Sequence, residues 1–391
     1  MIAFTFPGQG SQKPGMGDPW TEHPSWELVA EASEASGHDV GRLLLRADAD
    51  ELKQTHNAQV ATFVLSLVIL DAVERLGVAP AVVAGHSLGE YTALVASGAI
   101  ALDEGTRLVA QRGQAMHEAS RRRLGTMAAV LGLDDDDVAV ACARADGDVW
   151  VANYNAPGQV VIAGNPESIE RAGAIARQLG AKRVMPLAVG GAFHTPYMAP
   201  ARDDLKKAIC ETEIRDPELP IYANIDARSH QRGAEWADLL SAQLCGPVRW
   251  RQTLYGMADA GVTTFIELGP GSALTGMAKR TIESARCLSV SEPADLDRLL
   301  TALHLEPPAE VGLHEGEHLF ATERVIVSPA AGVFTPARGV DPGTAIAAGA
   351  VVGHVGDNEV RSPFGGVIVG VLAVDGERVS QSQPIAWLRI S

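Results

Sequence analysis

The chain has 391 residues, more than one small domain needs, and its 46% apolar and 20% charged residues are ordinary for a globular protein. The formal net charge of −16 argues against a nucleic-acid-binding protein, because phosphate backbones need a basic surface. The four cysteines are far apart and form no CxxC pair, so we expect no disulfide framework, no zinc site and a reducing compartment.

The most apolar window, residues 60–70, predicts a buried helix rather than a membrane segment. It is closed by Asp71 and is too short to span a bilayer. The N-terminal residues lack the basic stretch and long apolar run of a secretion signal. We therefore expect a cytoplasmic protein without membrane contact.

Strands and helices alternate in the first part of the chain. "MIAFTF" predicts a short buried strand followed by a glycine-rich loop, and helical patterns extend over residues 25–76. "AVVAG" predicts the next strand, and a helix rich in small residues follows it. This alternation predicts an α/β domain with a parallel sheet, covering residues 1–125 and 192–290.

Residues 126–191 have a different pattern. They predict strand, helix, two strands around an Asn-Ala-Pro-Gly turn, helix and strand, which is the βαββαβ order of a ferredoxin-like subdomain. The first of these helices opens with four aspartates, residues 134–137. Negative side chains suit the positive end of a helix dipole, so we interpret the run as a solvated helix start rather than a metal site.

The end of the chain contains two similar halves. Residues 291–321 predict a linker with one helix, and residues 322–391 are rich in Val, Gly and Pro without a helical period. "SPAAGV" begins at Ser328 and "SPFGGV" at Ser362, and each half predicts strands separated by glycine and polar turns. We therefore expect a C-terminal all-β domain.

Residues 85–89 read Gly-His-Ser-Leu-Gly, the G-x-S-x-G pattern of a nucleophile elbow. Glycines flank the serine because side chains there would clash in the strained turn between strand and helix. The helix start behind Ser87 would offer N–H groups to an oxyanion. The same pattern also occurs at ordinary turns, so further residues have to decide.

Three further segments would complete such a site. The loop "FPGQGSQ" fits neither a phosphate loop nor a dinucleotide loop; its N–H groups could serve an oxyanion, or it could be a plain tight turn. His194 lies on a predicted loop and could act as a base, whereas His86 would point away from Ser87. Arg112 lies on a predicted helix and would bind a substrate carboxylate if buried, or be a solvated charge.

Eight segments in a fixed order resemble those of the malonyl-CoA:acyl carrier protein transacylases of fatty-acid and polyketide synthesis. The resemblance covers residues 1–290 and implies an α/β-hydrolase-like large domain, a ferredoxin-like small domain and a site in the cleft between them. The segments are FPGQGSQ, GHSLGEY, QRGQAM, GTMAAVLGL, NYNAPGQVVIAG, GAFHTPYM, QLCGPVRW and ELGPGSALTGMAKR.

The resemblance implies the catalytic residues. Ser87 would be the nucleophile and His194 the base, and the backbone N–H groups of Gln9 and Leu88 would form the oxyanion hole. The family lacks a triad aspartate and orients its histidine with a backbone carbonyl, which here would belong to Gln243.

The resemblance also implies how the substrate is selected. Arg112 would hold the malonyl carboxylate. Phe193, within "GAFH", resembles the malonyl-selective form, whose ring leaves little room for an α-methyl group, although one methyl is worth only about 1–3 kcal/mol. Residues 59–61 read Gln-Val-Ala where the family often has Gln-Pro-Ala, and we expect a local backbone change without loss of chemistry.

The implied reaction moves a malonyl group from malonyl-CoA through a seryl ester to a carrier protein's phosphopantetheine thiol. No cofactor is implied, because malonyl-CoA is a substrate. The chain has no Asp-Ser-Leu attachment site, so the carrier would be a separate chain. Carriers are acidic, so a basic patch such as residues 206–207 or 121–123 would have to attract one. An editing thioesterase, which would not need Arg112, and a non-catalytic scaffold remain alternatives.

Residues 322–391 resemble the flattened β-barrel of biotinyl and lipoyl carrier domains. In those domains a lysine at the hairpin between the two halves carries the cofactor, but no lysine follows Lys279 here. A covalent arm on a lysine is therefore excluded. We favour a docking module for a protein partner, and a stability or oligomerisation domain remains the alternative.

Overall fold

The computed structural model describes residues 1–304, 318–320, 323–356, 358–380 and 383–389. Part of the predicted linker, residues 305–317 and 321, therefore lies outside the described residues. The chain forms two compact units. Unit 1 consists of Met1–Asp18, Leu28–Leu67 and Pro80–Ser291, and unit 2 consists of Pro19–Glu27, Val68–Ala79 and Glu292–Ser391.

Two sheets organise unit 1. Its strands are, in chain order, β1 (Ile2–Phe6), β2 (Val82–Gly85), β3 (Thr126–Leu131), β4 (Val149–Ala156), β5 (Gln159–Gly164), β6 (Arg183–Pro186), β7 (Ile221–Tyr222), β8 (Ser229–His230), β9 (Thr264–Leu268) and β10 (Arg286–Val290). The larger sheet has the order β10-β9-β1-β2-β7-β8, and only the β7–β8 pair is antiparallel. The predicted parallel α/β domain is therefore confirmed as a mixed α/β fold.

Helices cover the sheets and connect their strands. They are, in chain order, α1 (Leu28–Ser36), α2 (Val40–Leu45), α3 (Ala49–Lys53), α4 (Thr55–Arg75), α5 (Gly89–Ala96), α6 (Leu102–Arg122), α7 (Asp135–Arg144), α8 (Pro166–Gln178), α9 (Ala199–Glu211), α10 (Trp236–Cys245), α11 (Trp250–Asp259), α12 (Ala273–Thr281) and α13 (Ala294–Leu303). Among the described residues, only α4 is long and apolar enough to cross a membrane, but its most apolar window is 94% buried. That burial is typical of a core helix, as predicted for this window.

The ends of β1 and β2 bring two loops of unit 1 together. Phe6 pairs with Gly85 in the parallel ladder, so β1 and β2 end side by side and the loops that follow them start close together. A Cβ on Gly89 would lie 2.0 Å from the Phe6 carbonyl oxygen, and one on Gly8 would lie 2.5 Å from the His86 carbonyl oxygen. Such distances are far below van der Waals contact, so glycine is required for the two loops to pass each other.

Residues 126–186 form the smaller sheet and its two helices. The sheet has the order β4-β5-β3-β6 with every neighbouring pair antiparallel, and α7 and α8 pack on it over an apolar core. The elements follow the predicted βαββαβ order. Of the aspartates at the start of α7, Asp134, Asp136 and Asp137 are exposed, and Asp135 pairs with Arg251.

The C-terminal part of unit 2 is all β. Its strands are β11 (His318–Phe320), β12 (Glu323–Val327), β13 (Gly332–Pro336), β14 (Ala345–Ile346), β15 (Val351–Val355), β16 (Asn358–Arg361), β17 (Gly366–Val371), β18 (Arg378–Val379) and β19 (Pro384–Arg389). They form two sheets, β11-β12-β19-β17-β14 and β16-β15-β13-β18, with one apolar core. Among the described residues these sheets do not close into a single barrel. The predicted all-β region is therefore confirmed, but the predicted flattened barrel is not.

The sequence repeat explains the order of these two sheets. When each of β12–β15 is exchanged with its counterpart in β16–β19, the order β12-β19-β17-β14 becomes β16-β15-β13-β18. Each half also turns at the same buried serine. The Ser328 hydroxyl donates to the Ala330 carbonyl at 2.6 Å, and the Ser362 hydroxyl donates to the Phe364 carbonyl at 2.7 Å. The C-terminal β region, strands β12–β19, is therefore built from two copies of one four-stranded motif.

Candidate active site

A serine and a histidine meet at the end of β2. The Ser87 Oγ lies 2.8 Å from the Nε2 of His194, a residue 107 positions later in the chain. Both have left-handed backbones, with φ of 55° at Ser87 and 61° at His194. Such a conformation costs a non-glycine residue about 1–3 kcal/mol and persists only where the surrounding structure holds it. The sequence placed these two residues together through the family resemblance, and the fold brings them into contact.

The carbonyl of Gln243 sets the orientation of the His194 ring. It lies 2.9 Å from the Nδ1 of His194, and a carbonyl can only accept a hydrogen bond. Nδ1 therefore carries the proton, and Nε2 is left to accept one from Ser87. Burial lowers the pKa of His194 to about 3, against the opposing effect of the Gln243 bond. The imidazole is therefore neutral at neutral pH, as a general base must be.

Two backbone N–H groups beside Ser87 are available to an oxyanion. Leu88 lies at the start of α5, and Gln9 lies on the loop that follows β1. Neither N–H donates to another of the described residues. The N–H of Ser87 itself is occupied, because it donates to the Oδ1 of Asn224 at 2.6 Å. Gln9 and Leu88 are the two residues that the resemblance implies, and both N–H groups are without an acceptor among the described residues.

Arg112 is a buried cation next to Ser87. It is 1% exposed, and its Nη2 donates to the Ser87 Oγ at 3.2 Å and to the Gln243 Oε1 at 3.0 Å. Its Nη1 donates to the Gln59 Oε1 at 2.6 Å. All three partners are neutral, and Nε has no partner among the described residues. Burial lowers the pKa of Arg112, but a guanidinium keeps its charge at neutral pH.

Two glutamine side chains shape the site in ways that the sequence did not reveal. In the sequence, Gln59 stands out only as part of a departure from the family pattern. The next residue, Val60, lies inside the continuous helix α4. Gln243 was singled out for its carbonyl, yet its side chain also contacts Arg112, the Ser87 carbonyl at 2.8 Å and Glu90 at 2.6 Å. Neither side-chain contact follows from chain spacing, because the partners are far apart in sequence.

His86 and Phe193 lie next to the catalytic residues in the chain. The His86 Nε2 lies 2.9 Å from the Asn155 Oδ1 on β4, so its ring points away from the nucleophile, as the sequence indicated. Phe193 precedes His194 directly and is 6% exposed. Its side chain is therefore buried.

The basic residues suggested for carrier binding lie on two helices. Residues 121–123 are exposed at the end of α6, and Lys206 and Lys207 are exposed on α9. Arg123 is held over the Tyr197 ring, with 3.7 Å between its guanidinium carbon and the ring centre. Lys207 lies 3.8 Å from Glu211. Exposed ion pairs of this kind are weak, so the charges remain available to a partner.

Comparison with known proteins adds the family to this geometry. Residues 3–306 match the acyl transferase domain family. The chain belongs to this family. The malonyl CoA-acyl carrier protein transacylase of Escherichia coli (strain K12) is 42% identical over 298 residues, which are 75% of this chain and 96% of that protein.

Solved structures of acyltransferases are similar over the same part of the chain. The acyl carrier protein S-malonyltransferase of Vibrio cholerae has 40% identity and a TM-score of 0.74, covering 76% of this chain and 99% of that one. A malonyl-transacylase in complex with a type II PKS acyl-carrier protein has 39% identity and a TM-score of 0.74, covering 77% of this chain and 99% of that one. The family match ends at residue 306, so it does not include strands β12–β19.

Proposed function

We propose that the chain transfers a malonyl group from malonyl-CoA to the phosphopantetheine thiol of a separate acyl carrier protein, through an ester on Ser87. The observation that carries this proposal is the buried guanidinium of Arg112, 3.2 Å from the Ser87 Oγ, whose hydrogen-bond partners among the described residues are all neutral. A buried cation that bonds no carboxylate directly suits a substrate that brings its own. The similar proteins from Escherichia coli and Vibrio cholerae are named as malonyl transferases.

In the first half-reaction, the Ser87 Oγ attacks the thioester carbonyl carbon while the His194 Nε2 accepts the hydroxyl proton. The negative charge that develops on the carbonyl oxygen is stabilised by the N–H groups of Gln9 and Leu88. The carbon–sulfur bond then breaks, and the CoA sulfur takes the proton back from His194. The products are a malonyl-Ser87 ester and free CoA.

The second half-reaction runs through the same groups in reverse. The carrier thiol gives its proton to the neutral His194 Nε2 while its sulfur attacks the ester carbonyl. The carbon–oxygen bond breaks, and the Ser87 oxygen takes the proton. His194 serves both steps because the Gln243 carbonyl keeps its ring in one tautomer.

Arg112 and Phe193 would select the acyl group. The guanidinium has five N–H donors, of which neutral partners use three, so donors remain for a malonyl carboxylate. Phe193 is buried and directly precedes His194 in the chain, and its ring would, as the resemblance implies, disfavour an α-methyl group by about 1–3 kcal/mol. Malonyl would then be preferred over both acetyl and methylmalonyl.

The buried cation also separates this proposal from a thioesterase or a scaffold. A thioesterase that removes neutral acyl chains gains nothing from Arg112, whereas burying that charge costs free energy. A scaffold would not need two strained residues, Ser87 and His194, held in contact. Transfer to a carrier therefore accounts for more of the geometry than either alternative.

The partners and setting of the reaction form part of the proposal. The carrier would serve fatty-acid or polyketide synthesis in the cytoplasm and would approach the exposed basic residues at the end of α6 and on α9. No cofactor, nucleic acid or membrane takes part. Electrostatic attraction would let an acidic carrier bind a protein whose net charge is −16.

For the β region we propose a non-catalytic role, related in fold to biotinyl and lipoyl domains. The hairpin between its halves joins β15 and β16 and carries no lysine, so it cannot hold a cofactor through one. A docking module for a protein partner and a stabilising module remain the two forms of this proposal. The second is favoured by a buried arginine, Arg324, which forms ion pairs inside unit 2.

Intact-mass measurement after brief exposure to malonyl-CoA tests the proposed function. We expect one malonyl adduct on the wild-type protein and none on Ser87→Ala, because the ester needs that oxygen. Ser97→Ala is a matched control, since Ser97 is also buried, directly follows α5 and donates its hydroxyl to the Leu94 carbonyl. Added holo carrier protein should remove the adduct from the enzyme and gain the same mass. Release of free malonate without a gain on the carrier would instead indicate a thioesterase.

A further inference from the structure

One side chain, Asn224, holds both ends of the turn that presents the nucleophile. Its Oδ1 accepts from the Ser87 N–H at 2.6 Å, and its Nδ2 donates to the Gly85 carbonyl at 2.7 Å. Asn224 is fully buried, two residues after the end of β7. Its amide therefore fixes the backbone on both sides of His86 and supports the left-handed conformation of Ser87.

Asn224 is itself held by a buried carboxylate. Its backbone N–H donates to the Glu90 Oε1 at 2.6 Å. Glu90 is 1% exposed and lies in the first turn of α5, three residues after Ser87. Because a buried carboxylate without donors would be very costly, its position is set by the groups that donate to it.

The second oxygen of Glu90 leads to the base. The Glu90 Oε2 accepts from the Gln243 Nε2 at 2.6 Å, and the backbone carbonyl of Gln243 accepts from the His194 Nδ1 at 2.9 Å. Ser87, Asn224, Glu90, Gln243 and His194 thus form a continuous chain of hydrogen bonds. Both glutamate oxygens accept, so the ionised carboxylate is the form that fits these partners.

We propose that Asn224 and Glu90 are positioning residues for acyl transfer, which fix the Ser87 Oγ against the His194 Nε2 without touching the substrate. The proposal rests on the proposed function for its reaction but on separate residues for its geometry. Glu90 bonds the Gln243 side chain, and the Gln243 carbonyl bonds His194. Glu90 would therefore orient the His194 ring indirectly, whereas the acid of a catalytic triad bonds its histidine directly.

Single variants should lower the acylation rate and leave KM for malonyl-CoA unchanged. Asn224→Ala removes both bonds that hold the turn, and we expect a loss of about 100-fold, because small misplacements of reacting groups have effects of that size. Glu90→Gln keeps the shape but turns an N–H₂ group toward one of two donors, and we expect a loss of about tenfold or more. Rates are measured in single turnovers by quenched-flow mass spectrometry.

Glu267→Gln is the matched control for the change from carboxyl to amide. Glu267 is also 1% exposed, and its oxygens accept from the N–H groups of Leu274 and Thr275, away from the catalytic residues. We expect this variant to lower the melting temperature as Glu90→Gln does but to keep the wild-type acylation rate per folded molecule. If both variants at Asn224 and Glu90 lose no more rate than this control, the proposal is wrong.

A double variant tests whether the two residues act in one chain of contacts. If Asn224 and Glu90 both act through the position of Ser87, Asn224→Ala with Glu90→Gln should lose little more than the worse single variant. Multiplicative losses would show that they act independently, which contradicts the proposal.

A serine-directed fluorophosphonate separates this inference from the proposed function. The Ser87 Oγ forms a bond to phosphorus, fluoride leaves, and His194 takes the hydroxyl proton, so the labelling rate reports the serine–histidine pair without an acyl substrate. The same order of variants is expected. If malonyl-CoA gives no adduct but the variants still slow labelling, the proposed function fails and the inference stands. If labelling rates match the wild type, the inference fails.

Discussion

Among the described residues, each unit contains one arginine that is almost completely buried, and the two arginines differ in the charge of their partners. Arg112 in unit 1 is 1% exposed and bonds two glutamine oxygens and a serine hydroxyl, all neutral. Arg324 in unit 2 is 2% exposed and forms ion pairs with Glu74 and with Asp71, the latter at 3.5 Å. Burial is the same in both places, so the charge of the partners is what distinguishes them.

The environment of Arg324 is that of a structural ion pair. Its two carboxylate partners lie in the last turns of α4, and its guanidinium carbon lies 5.6 Å from the ring centre of Phe364 in the second half of the β region. Arg75 lies near the same ring at 5.4 Å and bonds Asp71 at 2.6 Å. Arg324 on β12 therefore connects α4 to both halves of the β region.

The charge of the partners distinguishes a functional from a structural buried arginine. A charge that is compensated within the chain stabilises the fold only as long as both partners stay. A charge that is left with neutral partners costs free energy until a ligand brings the opposite charge. By this criterion the proposed role of Arg112 is to bind a carboxylate substrate, whereas Arg324 is part of the architecture of unit 2.

Breaking the structural pair should have the largest effect on stability. Arg324→Met leaves Glu74 buried without its bonded cation, whereas Asp71 keeps Arg75, and we expect unit 2 to lose about 3–5 kcal/mol. Hydrogen exchange of peptides from β17 and β19 measures this loss within the unit itself. The acylation rate of the folded protein should remain that of the wild type.

Arg361→Met is the control for this prediction. Arg361 lies in the same β region and pairs with Glu359, but its side chain is 42% exposed, so we expect a loss of about 1 kcal/mol or less. Equal losses in the two variants would contradict the distinction between the buried and the exposed pair. A loss of acylation in Arg324→Met would show that Arg324 is not purely structural.

In unit 1, the pH dependence of the acylation rate tests whether ionised Glu90 is needed, and the expected effect is smaller. Burial raises the pKa of Glu90 to about 8, with Asp226 adding to the rise and Asn224, Gln243 and Arg112 opposing it. Since the ionised carboxylate fits its two donors, the rate should rise with pH through that range, by about tenfold from one unit below the pKa.

Protonation of His194 should not cause a second change of the acylation rate near neutral pH. Burial lowers the pKa of His194 to about 3, so the imidazole stays neutral as the pH falls through the ordinary value of 6.5. Glu90→Gln should therefore give a slow but level profile between about pH 5 and pH 8. A limb near pH 6.5 in both proteins, measured by single-turnover acylation, would contradict this account.

A short motif predicted the turn at Ser87 but not the buried residues that hold that turn in place. The turn at Ser87 has a local signature, because glycines must flank it where two loops cross. His194 and Arg112 could be placed only through the order of several segments. Asn224 and Glu90 gave no signal, since their roles depend on contacts across 134 residues of chain, although Glu90 stands inside a quoted motif.

The β region shows the same limit. The repeated phrase at Ser328 and Ser362 predicted strands and turns, because each serine closes its own turn with a nearby carbonyl. The contact of Arg324 with Glu74 joins residues 250 positions apart, and no pattern of charges along the chain indicates it. Local turns can be predicted from sequence, whereas long-range charge pairing follows only from the folded structure.

The most direct test of the central claim compares malonyl and acetyl transfer to Ser87 in the wild type and in Arg112→Met. If Arg112 binds the substrate carboxylate, the variant should lose malonyl adduct formation by about 100-fold or more and keep its acetyl rate. Removing the buried charge offsets part of the cost of leaving the Gln59 and Gln243 Oε1 atoms without this donor, so its melting temperature should fall less than that of Arg324→Met. An unchanged ratio of malonyl to acetyl rates, measured by intact mass on the folded variant, would contradict the account.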